Sequence, residues 1–357
     1  MFYENEYLNF KNMLKALQKC CENVRWKTSV TQYEVNRLKN TSKLIKSVKN
    51  GTYKLSNYQV FEIFEPKQRT IMATKIKDRH LQRSLCDTYL YKEITRHFIY
   101  DNCACQKGKG THFAINRLKI HLRRFYNKNK TNKGYYLKCD IRHFFESINH
   151  KKLKELLNKK VRNDKCREIV YEIIDSFGIR QTGLGLGSQV SQLLALLYLD
   201  PLDHYIKEVL KIKHYIRYMD DFILIHDDKE YLKYCLQQIQ KWLKEHGLSL
   251  NNKTCLQPIK KPVVFLNFKF ILTNTGKVII TTCRKRLIQR RRKLKKIIGL
   301  YYKERLTLED VLNTVKGMLA HIDKYNTVKE HNKLVSIYNN FIAEQKNVPH
   351  GTNYRLK

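Results

Sequence analysis

Proline and glycine are scarce in this chain, five and thirteen among 357 residues. No Pro-, Gly- or Ser-rich run is left to act as a flexible linker, so two or three closely packed lobes are expected from the length. No segment repeats at a fixed period and none is of low complexity. Long apolar runs are missing too. The longest, LLALLYL (Leu193–Leu199), falls far short of the roughly 20 residues that a membrane helix needs. The start, MFYENEYLNFKNMLK, carries no apolar core of the signal-peptide kind. A cytoplasmic protein with no membrane partner is the expectation. There are ten cysteines but no C-x-x-C, and neither CC (Cys20, Cys21) nor CAC (Cys103, Cys105) has zinc-ligand spacing. Buried thiols are expected instead of a structural zinc. Acidic residues are the minority charge: 32 against 70 lysines and arginines, a formal net charge of +38. Such an excess repels itself unless a polyanion shares the surface, and nucleic acid is the leading candidate.

What is present suffices for a core, with 42% hydrophobic and 11% aromatic residues. The first fifty residues or so scatter apolar positions among lysines, which predicts short basic helices ending at Gly51. YQVFEIFEPKQRTIMA (Tyr58–Ala73) predicts a β-hairpin turning near Pro66. A helix from Asp78 to about Phe98, a loop DNCACQKGKGTH and a helix Phe113–Phe125 follow. GYYLKCDIRHFFESINH opens as a strand and turns helical at its aromatic pair. GLGLGSQVSQLLALLYLDPLDHYIKEVLK reads as a glycine-rich loop running into one long buried helix. KEYLKYCLQQIQKWLKEHG is helical and stops at Gly247, and PVVFLNFKFILTNTGKVIITT is a hairpin turning at Asn274–Gly276. The tail from Arg284 is helical and very basic. The fold class is α+β.

In HYIRYMDDFILIHD (His214–Asp227), two adjacent aspartates lie between apolar runs of period two. Carboxylates in that setting are costly unless compensated. Successive strand side chains point to opposite faces, so Asp220 and Asp221 converge only at a hairpin tip, and such a tip repels itself without cations. Magnesium prefers oxygen ligands and keeps some water, so two or three carboxylates plus substrate phosphates suffice. Asp140, at the end of the strand YYLKCD, can bring the missing oxygens from a neighbouring strand. Two ions about 3.5–4 Å apart would activate an attacking hydroxyl and steady a leaving group. Asp227–Asp228 in IHDDKEYL is an internal control, the same dipeptide at what reads as a solvated strand end.

YMDD resembles the polymerase signature of reverse transcriptases, and the blocks around it follow in that family's order. CDIRHFFESINH resembles the block with the first aspartate, and GLGLGSQVSQLLALLYLDPLDHYI the nucleotide-pocket loop and its helix. GLSLNNKTCL resembles the lysine-bearing block and VFLNFKF the primer grip. EPKQRTIMATKIKDR and NCACQKGKGTH resemble the fingers of the bacterial, group II intron-like branch. The resemblance runs from about Arg25 to the tail. It implies a right-hand polymerase with an antiparallel palm sheet and a helical thumb. Its parts are a basic helical extension (1–57), fingers (58–134), a palm (135–270, with a finger-like insertion at about 150–180) and a thumb (271–357). It also implies RNA-directed DNA synthesis. Asp140, Asp220, Asp221 and the backbone carbonyl of Ile141 would hold two Mg2+ ions, with Mn2+ as a substitute. The primer 3′-hydroxyl would attack the α-phosphate, and positioning with charge neutralisation carries most of such catalysis. Lys253 matches a general acid for departing pyrophosphate.

The same resemblance places Lys67 and Arg69 on the triphosphate, where arginine's fork suits phosphate oxygens. Phe145, beside Phe144, would lie under the sugar and exclude a 2′-hydroxyl. Leu186, Gly187, Gln192, Tyr218 and Met219 would complete the nucleotide pocket, Phe265, Leu266 and Asn267 the primer grip. Lys107 and Lys109 would touch the template, and Arg284, Lys285, Arg290 and Arg291 would track duplex phosphates. Plainer readings stand beside these: a core aromatic for Phe145, a solvated hairpin tip for Lys67 and Arg69, a surface lysine for Lys253, a mobile loop for QKGKG.

Departures narrow the assignment. Group II enzymes usually read Q-G-x-x-x-S-P where this chain has LGLGSQVSQ, with Leu186 for the glutamine and Gln192 for the proline. That form resembles the reverse transcriptases of diversity-generating retroelements, which copy adenines with low fidelity. Losing the amide removes a hydrogen-bonding restraint in the pocket. Gly185 replaces an expected proline, and Asn267 stands where the primer grip has glycine. The chain ends soon after the thumb, so the expected partners are a structured RNA template, a DNA or RNA primer, deoxynucleotides and a small accessory protein. A defence-associated enzyme making templated or untemplated DNA is a rival reading. A non-catalytic nucleic-acid-binding relative is another, against which the intact acidic trio argues.

Overall fold

A computed structural model of the chain describes residues 6–64, 68–178, 181–320, 322, 323, 325 and 327–346. Helices α1 (Phe10–Cys21), α2 (Thr28–Val35) and α3 (Arg37–Lys49) come first, then strands β1 (Gln59–Ile63) and β2 (Arg69–Ala73). Next are α4 (Ile76–Leu85), α5 (Tyr91–Thr95), α6 (Thr111–Asn129), β3 (Tyr135–Asp140) and α7 (Phe144–Ser147). Helices α8 (His150–Lys160), α9 (Asp164–Asp175), α10 (Gln189–Tyr198) and α11 (Asp200–His204) lead to β4 (His214–Tyr218) and β5 (Asp221–His226). After α12 (Lys229–Glu245) come β6 (Cys255–Pro258), β7 (Val263–Phe265), β8 (Phe268–Leu272) and β9 (Val278–Thr282). Helices α13 (Arg284–Tyr302), α14 (Leu308–Ala320) and α15 (Val328–Lys346) complete the order. The α+β expectation holds, with helices mixed among antiparallel strand pairs.

Two compact units emerge. The first gathers Met1–Ala114, Leu137–Leu224 and Glu230–Leu256. Its basic N-terminal helices form for local reasons. The Asn9 side chain accepts from the Lys11 and Asn12 N–H groups at the start of α1, satisfying two otherwise unpaired donors. Met13, Ala16, Leu17, Cys20 and Cys21 then bury one face at helical spacing. β1 and β2 pair in register from Gln59↔Ala73 to Ile63↔Arg69; the expected turn at Pro66 lies outside the described residues. The main sheet has the order β4-β5-β3-β6, which puts the end of β3 beside the β4–β5 hairpin.

The second unit comprises Ile115–Tyr136, Ile225–Lys229 and Gln257–Lys357. It holds the three-stranded sheet β7-β8-β9 and an apolar core in its helices, among them Leu294, Val311, Val315, Leu319, Tyr338 and Phe341.

Three local expectations are corrected. The single long helix after the glycine-rich loop is interrupted at Leu199, where α11 restarts with Pro201 in its first turn and runs into a π-helical turn, Tyr205–Val209. Proline has no N–H to continue a ladder but suits a helix start. The helix predicted from Asp78 to about Phe98 runs from Ile76 through a π-helical turn, Cys86–Leu90, and ends at Thr95. The β7–β9 hairpin is a three-strand meander, because Leu266 and Asn267 make an additional two-residue turn with φ of 49° and 70°. Positive φ at both central positions is the type I′ signature. Among the described residues no helix is long and apolar enough to cross a membrane.

Candidate active site

Asp140 ends β3, while Asp220 and Asp221 sit at the tip joining β4 and β5. The tip is a tight turn in which Met219 takes φ of 55°. Backbone bonds stitch these segments together. The Ile141 N–H donates to the Asp220 carbonyl at 3.3 Å, and the Asn251 N–H to the Asp140 carbonyl at 2.7 Å. One residue along, the Arg142 N–H donates to the Ser249 carbonyl at 2.8 Å.

Electrostatics mark the same place. Burial raises the Asp220 pKa and the charge of Asp140 adds to that, while Arg69 on β2 pulls it back. Asp221 is pushed up to about 7, first by burial and then by Asp140 and Asp220, although Lys138 opposes the shift. The Lys138 ammonium lies 3.2 Å from Asp221 Oδ2. The other oxygen, Asp221 Oδ1, is buried with no hydrogen-bond partner. An all-oxygen donor set, crowded with negative charge and holding an orphaned buried oxygen, fits a hard divalent cation. Among the described residues no three acidic, histidine or cysteine side chains are already drawn onto one point; the trio shares a neighbourhood and is not a finished coordination sphere. The control pair behaves differently, since Asp227 and Asp228 are exposed.

The proton balance has a testable sign. The folded-state value near 7 for Asp221 exceeds the unfolded value of about 3.9, so between them the folded protein binds the extra proton. Metal-free stability therefore declines as pH rises from about 4 to about 7. A divalent cation that binds only the folded, ionised site raises Tm more at pH 8 than at pH 5. Thermal melts with and without Mg2+ check this, and equal shifts at both pH values would contradict it. Asp221→Asn should flatten the pH dependence.

The glycine-rich loop lies on β2. The Met72 N–H donates to the Leu186 carbonyl at 2.9 Å. Gly187 has φ of 121°, and a Cβ there would meet Ile71 Cγ2 at 3.2 Å and the Met72 carbonyl oxygen at 3.3 Å. At Gly185 a Cβ would lie 2.3 Å from the Phe177 ring. A side chain there would force the Phe177 ring to move, so this packing favours glycine over the proline expected there. The Leu184 N–H donates to the Phe145 carbonyl at 2.8 Å. Phe145 is half-buried, whereas Phe144 is 3% exposed and meets Phe145 edge-on at 5.7 Å. The two neighbours thus part company, with Phe144 in the core. Gln192 is exposed on α10, and Ser188 caps that helix while donating to Gln82 Oε1 at 2.9 Å. Tyr218 and Met219 are half-buried, with the Tyr218 hydroxyl 3.5 Å from Thr111 Oγ1. Lys253 is exposed, two residues past the Asn251 that holds Asp140. Lys67 lies outside the described residues.

Other anticipated positions are more varied. The Lys109 ammonium donates to the Tyr100 and Asn102 carbonyls, both at 2.9 Å, and so closes its own loop. Lys107 lies over the Tyr91 ring at 4.9 Å. In the second unit Phe265 is fully buried, Leu266 half-buried and Asn267 exposed, its carbonyl accepting from the Cys283 N–H at 3.1 Å. Arg284 and Lys285 are exposed at the start of α13, while Arg290 and Arg291 are half-buried. Arg291 lines a groove of about 570 Å³ with Lys329, Lys333 and Ile337.

Two participants escaped the sequence reading. Lys138 stands two residues before Asp140, so period-two alternation already placed both on one face of β3. Arg217 is a lone charge inside a buried strand, a signal that a partner must exist.

Residues 57–270, more than half of the chain, match the family model described as reverse transcriptase (RNA-dependent DNA polymerase). No curated protein matches the chain. Among solved structures it is similar to apo telomerase from Candida tropicalis, with TM-score 0.53 and 14% identity over 86% of this chain and 67% of that one. It is also similar to telomerase from Candida albicans in complex with a TWJ fragment of telomeric RNA (TM-score 0.51, 14% identity, 90% and 61% of the two chains). A third, apo telomerase from Candida tropicalis truncated from its C-terminal domain, gives 0.49 and 15% over 70% of this chain, which spans 60% of that one. At such identities the likeness is one of fold, that of a polymerase built on antiparallel sheets. Enzymes of the matched family use divalent metal ions, in keeping with the donor set at Asp140, Asp220 and Asp221. With the family model spanning every block around the YMDD turn, the chain belongs to the reverse transcriptases, the RNA-dependent DNA polymerases, which are nucleotidyltransferases.

Proposed function

We propose that this chain extends a nucleic-acid primer on an RNA template with deoxynucleotides, using Asp140, Asp220 and Asp221 at the active site. The observation that carries this is the stitching of Asp140 to the YMDD turn, with mutually repelling carboxylates and a buried carboxylate oxygen lacking a partner. The three carboxylates and the Ile141 carbonyl would hold two Mg2+ ions, or Mn2+ in their place. When bound, those ions supply charge neutralisation at the reacting phosphate. Arg69, close enough to Asp220 to shift its pKa, would face the triphosphate together with Lys67. Phe145 would pack under the sugar, and Lys253 would deliver a proton to pyrophosphate. The residue ranges read from the sequence as extension, fingers, palm and thumb remain our division of labour. Primer extension by the purified protein, on an RNA template with Mg2+ and deoxynucleotides, is the test.

For the narrower role we propose an enzyme of the bacterial, group II intron-like branch, acting in the cytoplasm as the error-prone polymerase of a diversity-generating retroelement. Leu186 supports this, since a leucine offers no amide to the pocket. So does Gln192, exposed on α10. A structured non-coding RNA and a small accessory protein would be its partners. Errors scattered at template adenines in sequenced products support this role. Repeats or homopolymers support the defence-associated alternative.

The basic surface of α13 and α15 would bind the duplex backbone. Replacing Arg284, Lys285 and Arg291 by glutamine should weaken hybrid binding irrespective of sequence. It should also flatten the slope of log K against log[salt] by about 0.9 for each phosphate no longer neutralised. A salt titration by fluorescence anisotropy reads both. An unchanged slope would remove these residues from the interface.

A further inference from the structure

Behind the YMDD turn lies a charged group that the chemistry above does not use. Arg217, on β4, is fully buried. Its Nε and Nη2 donate to Asp203 Oδ1 and Oδ2 at 2.6 and 2.5 Å, a two-pronged pair. The Tyr215 hydroxyl donates to the same Asp203 Oδ1 at 2.7 Å. The remaining arm, Nη1, donates to the Met219 carbonyl at 3.0 Å. Met219 is the residue with φ of 55°, a left-handed conformation that is strained for a residue bearing a side chain. The backbone of Arg217 is tied as well. Its N–H donates to the Asp101 carbonyl at 3.0 Å, and its carbonyl accepts from the Cys103 N–H at 2.9 Å.

We propose that Arg217 is a positioning residue. Clamped by Asp203, it fixes the Met219–Asp220 peptide from behind and thereby sets the direction in which Asp220 presents its carboxylate. Burying a charged pair is an expensive way to gain stability alone, because a well-packed apolar replacement is often as stable or more so. What an apolar replacement cannot supply is a donor aimed at one carbonyl. A lysine cannot supply it either, since one ammonium does not span both Asp203 oxygens and the Met219 carbonyl as a planar guanidinium does. The backbone ties extend the same anchor to the start of the loop that carries Lys107 and Lys109. The catalytic turn and that loop therefore share one fixed point.

The inference rests on the proposed role of Asp220 and is tested separately from it. Two variants are compared with the wild type: Arg217→Lys, and the triple replacement Arg217→Met, Asp203→Leu and Tyr215→Phe, which removes the buried polar group as a unit. Both are expected to melt cooperatively. Each should lose about a hundred-fold in kcat for primer extension, the scale of an ångström's misplacement in an active site. KM for deoxynucleotide should stay within about threefold, since uniform binding is untouched. The Mg2+ concentration for half-maximal rate should rise. A merely structural role predicts that activity returns wherever stability does. A cooperatively folded variant with kcat within about twofold of wild type overturns the proposal. Failure of both variants to fold overturns it too, because the group is then needed for folding and not for the turn. Asp220→Ala is the control arm. If it stays active, the site reading itself fails; if it is inactive while the Arg217 variants are active, only the positioning role falls.

Discussion

Asp220→Ala, and equally Asp140→Ala, should lower primer extension by at least about a thousand-fold, the several kcal/mol that charge stabilisation by bound metal supplies, at tenfold per 1.36 kcal/mol. The protein itself should not suffer. Asp220 is a half-buried carboxylate whose ionisation is opposed by desolvation and by Asp140, so its removal relieves repulsion in the metal-free state. Tm in the presence of chelator should stay level or rise, while the Tm gain on adding Mg2+ shrinks. Single-turnover extension together with melts in both conditions makes the comparison. Substantial extension by the Asp220 variant would end the assignment of this turn as the catalytic centre.

The second large effect concerns the sugar. Phe145→Ala should cut the preference for deoxynucleotides over ribonucleotides by about tenfold to two-hundredfold, read as the ratio of kcat/KM values. The ring is half-buried, backed edge-on by Phe144, and its backbone is pinned through the carbonyl that accepts from Leu184. In the proposed pocket this ring would be the wall that excludes a 2′-hydroxyl. Phe144→Ala should do the opposite kind of damage. It should cost stability, about 3–5 kcal/mol for a large core aromatic, and leave sugar selectivity alone. If Phe144 governs selectivity and Phe145 does not, the assignment of the two rings is reversed.

The two rings mark where sequence reading reaches its end. The aspartate tip was legible because two carboxylates between alternating apolar runs are too costly to bury without a cation, and Asp140 because a strand must terminate on it. Phe144 and Phe145 were not separable, since adjacent aromatics at a strand-to-helix change carry no periodicity to say which faces inward. The break at Leu199 was overlooked because the apolar spacing continues through Pro201, and spacing alone does not register a missing N–H. That the Lys109 ammonium donates to two carbonyls of its own loop was not legible either, because only three-dimensional folding brings those groups together. The Arg217–Asp203 pair joins residues fourteen apart from a helix and a strand, and no local pattern links them.

Lys138 gives the centre a placeholder. Its ammonium rests against Asp221, so a divalent ion held there, as proposed, would have to displace a resident single charge. Metal uptake would then be a competition, and Lys138→Met should lower the Mg2+ concentration needed for half of the Tm gain in thermal melts.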